Sequence, residues 1–340
     1  MLLLRKLPRK LLNSQRKVTI PIRFFTTQNP IPHPDPNPNP FPDEPTSAYY
    51  DELVNTAGRS RDFETLRHLL NKRVKDGCFP TSKTFSFITS AESSLSLDVL
   101  SHTLSRLDKG FTRKSAYDSL ISRLCKLYRI DECLRLVETM ARGGYGLNSC
   151  SFHSILNSLT RKRRMDEAWR LLDIMKTTGV SPDLTVYNYF LMTYCFIGDL
   201  AMAARILTRM EEEEMRADTR TYDALVLGAC RVGNVEGALV LLRRMEDDGL
   251  PMLLSTRNYV IDAMLSVGYY EQAMKFVRIY SGKDTWLDRE SYGCLVNRLI
   301  KFQRSEEAMK VLDEMQRMGL SMGDKLKQFY ETNLDKQTSF

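Results

Sequence analysis

One pattern constrains the fold of this chain more than any other: a segment of 35 residues recurs along most of its length. Counted from residue 47, the recurrence divides the chain into eight repeats, of which the second is degenerate and 32 residues long. The repeats span 47–81, 82–113, 114–148, 149–183, 184–218, 219–253, 254–288 and 289–323. A constant period of this size is typical of folds in which each unit packs only on its neighbours, so the chain needs no single central core.

Each repeat carries two apolar stripes with helical spacing. The fourth residue is aromatic in every repeat except the seventh, where it is Arg257, and the seventh residue is always apolar. These offsets place both residues on one face of a first α-helix. In a second helix, the twentieth residue is small in most repeats: Cys133, Ala168, Ala203, Ala238, Ala273 and Ala308. The pattern predicts two helices per repeat that approach each other closely.

Stop and start signals fall between these helices. A glycine that suits a left-handed cap follows the second helix at Gly77, Gly144, Gly179, Gly249 and Gly319. Hydroxyl side chains are expected to cap the next first helix at Thr84, Ser151, Thr221, Thr256 and Ser291. The polar tail, residues 324–340, is expected to fray.

Two stretches of the repeat resemble a known family. Residues 181–188 read SPDLTVYN, and residues 165–172 read MDEAWRLL before Met175 and Gly179. Both are similar to the pentatricopeptide repeat, and the uniform repeat length resembles the plain-repeat (P) class of the plant organellar type. The resemblance covers residues 47–323. It implies an all-α fold, a right-handed superhelical α-solenoid of about eight 35-residue helix–turn–helix repeats.

The resemblance also implies single-stranded RNA as the ligand, with each repeat reading about one base through its fifth and last residues. Two pairs match the combination that the family uses for uridine, since an amide can donate and accept on a pyrimidine edge: Asn188 with Asp218, and Asn258 with Asp288. Two further candidate pairs match less clearly: His153 with Asp183, and Asp118 with Asn148.

The remaining repeats match no pairing of the family: Asp51 with Thr81, Ser86 with Arg113, Asp223 with Leu253, and Gly293 with Gly323. Carboxylates at Asp118 and Asp223 would stand near bases, which weighs against tight RNA binding along the full array.

A second signal concerns the phosphate backbone. The thirteenth residue is basic in five repeats and would form a ladder along the array: Arg59, Lys126, Arg161, Arg231 and Lys301. Such a ladder suits an RNA backbone. The alternative is a row of solvated helix ends, where cations favour the helix macrodipole.

The first 46 residues differ in composition from the repeats. Residues 1–25 hold seven basic side chains and no acidic one, which accounts for the whole net charge of +7. They predict a mitochondrial transit peptide with cleavage after Phe25; an RNA-binding basic arm is the alternative. Residues 26–46 hold eight prolines and predict an extended linker, with a proline-rich docking ligand as the alternative.

No catalytic signature accompanies the repeats. The sequence lacks an H-x-E motif with a later C-x-x-C, a phosphate-binding G-x-x-x-x-G-K-[ST] and a G-x-S-x-G elbow. We therefore expect no enzyme, cofactor, metal, membrane span or small-molecule substrate. The expected function is sequence-selective RNA binding in the mitochondrial matrix, in stabilisation, processing, splicing or translation. The alternative is a protein-interaction scaffold or a subunit of the mitochondrial ribosome or another ribonucleoprotein.

Overall fold

A computed structural model describes residues 45–91 and 94–338. The expected transit peptide and nearly all of the proline-rich linker lie outside these residues. Within them the chain forms sixteen α-helices and no strand. The chain divides into two compact units, 45–189 and 190–338, and the division falls inside one helix, Leu184–Ile197.

Helices α1 to α7 lie in the first compact unit. Their bounds are α1 Ser47–Arg59, α2 Phe63–Lys75, α3 Ser94–Ser105, α4 Phe111–Lys126, α5 Ile130–Gly143, α6 Ser149–Arg161 and α7 Met165–Thr177. Helix α8 crosses the division, and the rest lie in the second unit. Their bounds are α8 Leu184–Ile197, α9 Leu200–Glu212, α10 Thr219–Arg231, α11 Val235–Asp247, α12 Leu254–Ser266, α13 Tyr270–Ile279, α14 Thr285–Lys301, α15 Ser305–Arg317 and α16 Asp324–Thr338.

The apolar stripes explain how these helices stack within each compact unit. In the first, α4 packs against its partner α5 and against the next first helix, α6. In the second, α10 packs in the same way against α11 and α12, and α12 against α13 and α14. Tyr117, Leu120 and Leu124 of α4 are fully buried at these contacts, and so are Ala168 and Ala238 on second helices. Each fully buried large side chain contributes about 1.5–3 kcal/mol.

The glycines expected after the second helices have the left-handed backbone that the sequence predicts. The φ angle is 63° at Gly144, 75° at Gly179 and 68° at Gly249. A second left-handed residue lies in the turn between the two helices of a repeat. It is glycine in three repeats, but Arg61, Tyr128 and Arg163 take the same conformation with φ near 60°. The turn geometry is therefore kept even where a side chain makes it unfavourable.

All five expected helix caps are wrong. The N-caps are Asn148, Asp218 and Leu253, three residues before Ser151, Thr221 and Thr256. At these three places the first helix begins directly after the last residue of the preceding repeat, and that residue is the N-cap. Asp284 takes the place expected of Ser291, and no helix begins directly after Thr84. Asp218 is the clearest case, because its carboxylate accepts from the Thr221 amide at 2.8 Å while the Thr221 hydroxyl accepts from the Asp218 amide at 3.2 Å. Thr221 thus completes a capping box from inside the helix, where it is buried.

Two other expectations are corrected. Repeat 2 does not form a helix pair in the described residues, since 82–91 contain only turns and irregular backbone and α3 is its one helix. The tail does not fray at residue 324, because α16 continues to Thr338 and buries Leu326.

Repeat 1 is held by a buried ion pair that the periodic pattern does not show. Arg73 on α2 is fully buried, and its Nη1 lies 2.8 Å from Oδ1 of Asp51 on α1. The same guanidinium donates to the Thr84 hydroxyl and to the carbonyls of Ser47 and Phe79. A buried charge of this kind is stable only when it is fully paired.

Replacing Arg73 with alanine should therefore leave the Asp51 carboxylate buried and unpaired. We expect Arg73→Ala to lower the free energy of unfolding by about 3–5 kcal/mol, measured by urea titration. Arg67→Ala is the matched control, because Arg67 forms an exposed pair with Glu64 on the same helix and should change stability by less than about 1 kcal/mol. Equal losses in both variants would contradict this account of repeat 1.

Candidate nucleic-acid interface

The helix register brings the fifth and last residues of a repeat together. Where Asn148, Asp218 and Leu253 end their repeats, the last residue caps the next first helix. The fifth residue lies one turn inside the first helix of its own repeat, and consecutive first helices such as α4 and α6 pack side by side. Two repeats of the first compact unit show the resulting contact directly. In repeat 1 the Thr81 hydroxyl donates to Asp51. In repeat 4 the Nε2 atom of His153 lies 2.9 and 3.0 Å from the carboxylate oxygens of Asp183.

The His153–Asp183 pair is accessible to a ligand. The side chain of His153 is 21% exposed and that of Asp183 is 41% exposed. Burial would raise the pKa of Asp183, but hydrogen bonds from the Val186 amide, His153 and Ser149 hold it below its usual value. The carboxylate is thus charged and holds the ring of His153 through Nε2.

The pair predicted from Asp118 and Asn148 is modified by a neighbour. The Asp118 carboxylate forms an ion pair with Lys114 at 2.5 Å, four residues earlier on α4. Asn148 is the N-cap of α6, and its side chain forms no capping hydrogen bond. The positive charge of Lys114 therefore offsets the negative charge of Asp118, which was expected to stand near a base. The four-residue spacing was visible in the sequence and could have identified Lys114 as a partner.

The carboxylates of Asp51 and Asp223 are withdrawn from the surface. Asp51 belongs to the buried pair with Arg73. Asp223 is fully buried on α10, where it accepts from the Thr256 hydroxyl at 2.6 Å and the Ser255 hydroxyl at 2.9 Å. Burial raises the pKa of Asp223. Neither carboxylate stands where it would repel RNA, contrary to the expectation for Asp223.

Asn188 and Asp218 fall in different compact units. Asn188 lies on α8 in the first unit and is 9% exposed. Asp218 lies in the second unit, half-buried, as the N-cap of α10.

Asn258 and Asp288 both lie in the second unit, but no hydrogen bond joins their side chains. Asp288 is buried within α14 and bonds to Arg257 and to the Gly282 amide. The Asn258 Oδ1 atom is buried without a hydrogen-bond partner.

The five predicted backbone cations all lie in the last turn of a first helix. In the first unit Arg59, Lys126 and Arg161 are exposed there. In the second unit Lys301 is exposed, whereas Arg231 is half-buried. Arg231 stacks on the Phe196 ring at 4.4 Å and donates through Nε to the Phe196 carbonyl at 2.9 Å. The sequence did not indicate this contact. Phe196 is the thirteenth residue of repeat 5, and Arg231 is the thirteenth residue of repeat 6.

The described residues show little else that points to chemistry. No three histidine, cysteine or acidic side chains among them are grouped to hold a metal ion. None of the helices described is both long and apolar enough to cross a membrane.

The raised pKa of Asp223 makes stability depend on pH. The folded protein binds this proton more tightly than the unfolded chain, so stability falls as pH rises through the folded-state pKa. We expect Asp223→Asn to keep the bonds from Ser255 and Thr256 and to raise the Tm at neutral and alkaline pH, with a smaller gain at acidic pH. Thermal unfolding across this range tests the expectation. The exposed Asp247, changed to asparagine, is the control and should show no such trend.

Comparison with known proteins adds three kinds of match. Family models match as "PPR repeat family" over 147–195, "Pentatricopeptide repeat-containing protein" over 172–282 and "PPR repeat" over 115–145 and 290–320. Two Arabidopsis thaliana proteins, both named mitochondrial pentatricopeptide repeat-containing proteins, are similar. One is 63% identical over 84% of this chain and 82% of its own length. The other is 48% identical over 92% of this chain and 88% of its own.

A solved structure shares the fold. The crystal structure of the maize pentatricopeptide repeat protein PPR10 matches 86% of this chain with a TM-score of 0.51 and 18% identity. The match covers 44% of the maize protein, so this chain spans less than half of that protein's length.

Proposed function

This chain belongs to the pentatricopeptide repeat family, and on that premise we propose that it binds single-stranded RNA in the mitochondrial matrix with base selectivity and without catalysis. The observation that carries the proposal is the accessible His153–Asp183 pair, a fifth and a last residue held together by 2.9 and 3.0 Å contacts. Such a pair offers a fixed polar edge of the size of one base.

Three consecutive repeats are the base readers in this proposal. Their pairs are Asp118 with Asn148, His153 with Asp183, and Asn188 with Asp218. In repeat 4 the Asp183 carboxylate orients His153, and in repeat 5 Asn188 carries the amide that would meet a uracil.

The cations at the helix ends supply affinity in this proposal, and they also suit the macrodipole of each first helix. Arg59, Lys126 and Arg161 are exposed at the same place in three repeats of the first unit. Phosphate contacts of this kind bind all sequences alike. By covering its target, the protein would act in stabilisation, processing, splicing or translation of a mitochondrial transcript. The names of both Arabidopsis relatives support the mitochondrion as the compartment.

Base selectivity should depend on Asn188. We expect Asn188→Ala to reduce discrimination between uridine and cytidine at one nucleotide by about tenfold, since a lost bidentate contact costs about 1–3 kcal/mol. Electrophoretic or anisotropy titration with RNAs that differ at that nucleotide gives the ratio. Asn297→Ala is the control, because Asn297 is exposed on a first helix and donates only to the Gly293 carbonyl of the same helix. If both variants keep the wild-type ratio, Asn188 does not read a base.

The backbone cations should act without regard to sequence. We expect a Lys126→Ala, Arg161→Ala double variant to weaken every RNA to the same extent and to reduce the dependence of log Kd on log salt by about 1–2. The control is Lys72→Ala with Lys75→Ala, which removes two exposed cations from a second helix of the same compact unit. An equal effect in the control would show that net charge, and not this row of side chains, governs affinity.

A second candidate function is favoured by one observation: beyond residue 25 the acidic and basic side chains balance, so no overall charge attracts nucleic acid. A scaffold within the mitochondrial ribosome or another ribonucleoprotein needs no such charge. Sedimentation of mitochondrial extract separates the two functions. A protein that comigrates with a ribosomal subunit after RNase treatment supports the scaffold, whereas RNase-sensitive comigration or free sedimentation supports RNA binding.

A further inference from the structure

Resting on the proposed function, we infer that repeat 7 reads no base, although it carries the same asparagine and aspartate as repeat 5. Arg257 withholds Asp288 from Asn258 in a buried ion pair, and Asn258 is left without the partner that would orient it. Arg257 is therefore the residue that sets the selectivity of this repeat.

Repeat 7 differs from its neighbours at the fourth residue of the repeat. In the two neighbouring repeats it is a tyrosine whose hydroxyl bonds to an acid in or just after the second helix of the same repeat: Tyr222 to Asp248 at 2.5 Å and Tyr292 to Glu314 at 3.0 Å. Arg257 occupies this position in repeat 7. Its Nη1 atom lies 3.4 Å from Oδ1 of Asp288.

The helices on either side of the end of repeat 7 begin and end at other positions than in repeats 5 and 6. Helix α13 has ten residues, whereas α9 and α11 have thirteen. Helix α14 in turn begins at Thr285, with Asp284 as its N-cap accepting from the Leu287 amide at 2.9 Å. The last residue of repeat 7, Asp288, therefore lies in the first turn of α14. In repeat 5 the equivalent residue, Asp218, is itself the N-cap.

Both carboxylate oxygens of Asp288 are engaged by groups other than Asn258. Oδ1 faces Arg257, and Oδ2 accepts from the Gly282 amide at 2.7 Å. The side chains of Arg257 and Asp288 are 7% and 4% exposed, so the pair is closed to solvent. Both oxygens have partners, and neither is offered to Asn258.

The amide oxygen of Asn258 is buried. This Oδ1 atom is inaccessible to solvent and has no hydrogen-bond partner. A uracil N–H cannot reach an acceptor that a water molecule cannot reach, so Asn258 does not offer its amide oxygen to a pyrimidine. The nucleotide that faces repeat 7 is then free to vary.

The test uses the full chain and RNAs with two uridines separated by one nucleotide, each replaced in turn by cytidine. We expect wild-type protein to lose about tenfold in affinity for one replacement and less than about twofold for the other. Asn188→Ala should remove the discrimination, and the matched Asn258→Ala should leave it unchanged. Discrimination at both nucleotides, with Asn258→Ala abolishing it at one, would overturn the inference while supporting the proposed function. Absence of binding to any such RNA would overturn both.

The role of Arg257 is tested by a gain of selectivity. Arg257→Tyr installs the residue that five other repeats hold at this position and removes the cation that engages Asp288. We expect it to create a severalfold preference for uridine at the second nucleotide, and Asn258→Ala in the same background should remove that preference. Circular dichroism checks the fold; if Arg257→Tyr does not fold, the Asn188 and Asn258 comparison still decides. A folded Arg257→Tyr protein without the new preference would show that Arg257 does not silence the repeat.

Discussion

The structure depends on one constraint: a pair of helices with two apolar stripes cannot bury both stripes by itself. Each first helix must pack on its own second helix and on the next first helix, as α4 does with α5 and α6. Because the repeat length is constant, this packing places equivalent residues beside one another in successive repeats. The contact between a fifth and a last residue, seen at His153 and Asp183, is a consequence of that register.

Much of the fold could be predicted because its causes are local. Apolar spacing identified the helices, and the glycines after the second helices have the expected left-handed backbone. The failures occur where the outcome depends on partners distant in the chain. The caps were misplaced because Thr221 bonds to Asp218 from inside the helix. The helix at 324–338 has a polar sequence, and its packing on α14 and α15 was not visible in that sequence.

In the candidate site, too, the sequence predicts where a side chain lies but not which groups it contacts. The repeat identifies Asp51, Asp118 and Asp223 as equivalent residues, yet the three carboxylates have different surroundings. Asp51 pairs with Arg73 from the second helix, Asp118 with Lys114 one turn away, and Asp223 with two hydroxyls from the next repeat. Only the Lys114 pairing follows a short-range spacing rule. Charge at the fifth position therefore cannot be converted into repulsion of RNA without the three-dimensional partners.

A base-reading pair is for this reason conditional on its neighbours. An aspartate can orient an amide only if no stronger donor competes for it, and a guanidinium is a stronger donor because its hydrogen bonds are charge-assisted. At Asp183 the neighbours are the Val186 amide and His153, which leave the pair half-open to solvent. At Asp288 they are Arg257 and the Gly282 amide, which close it. Repeats 4 and 7 thus end in the same residue, an aspartate, yet the one is open to a ligand and the other is closed by Arg257 at the fourth position, a residue that need not touch the RNA.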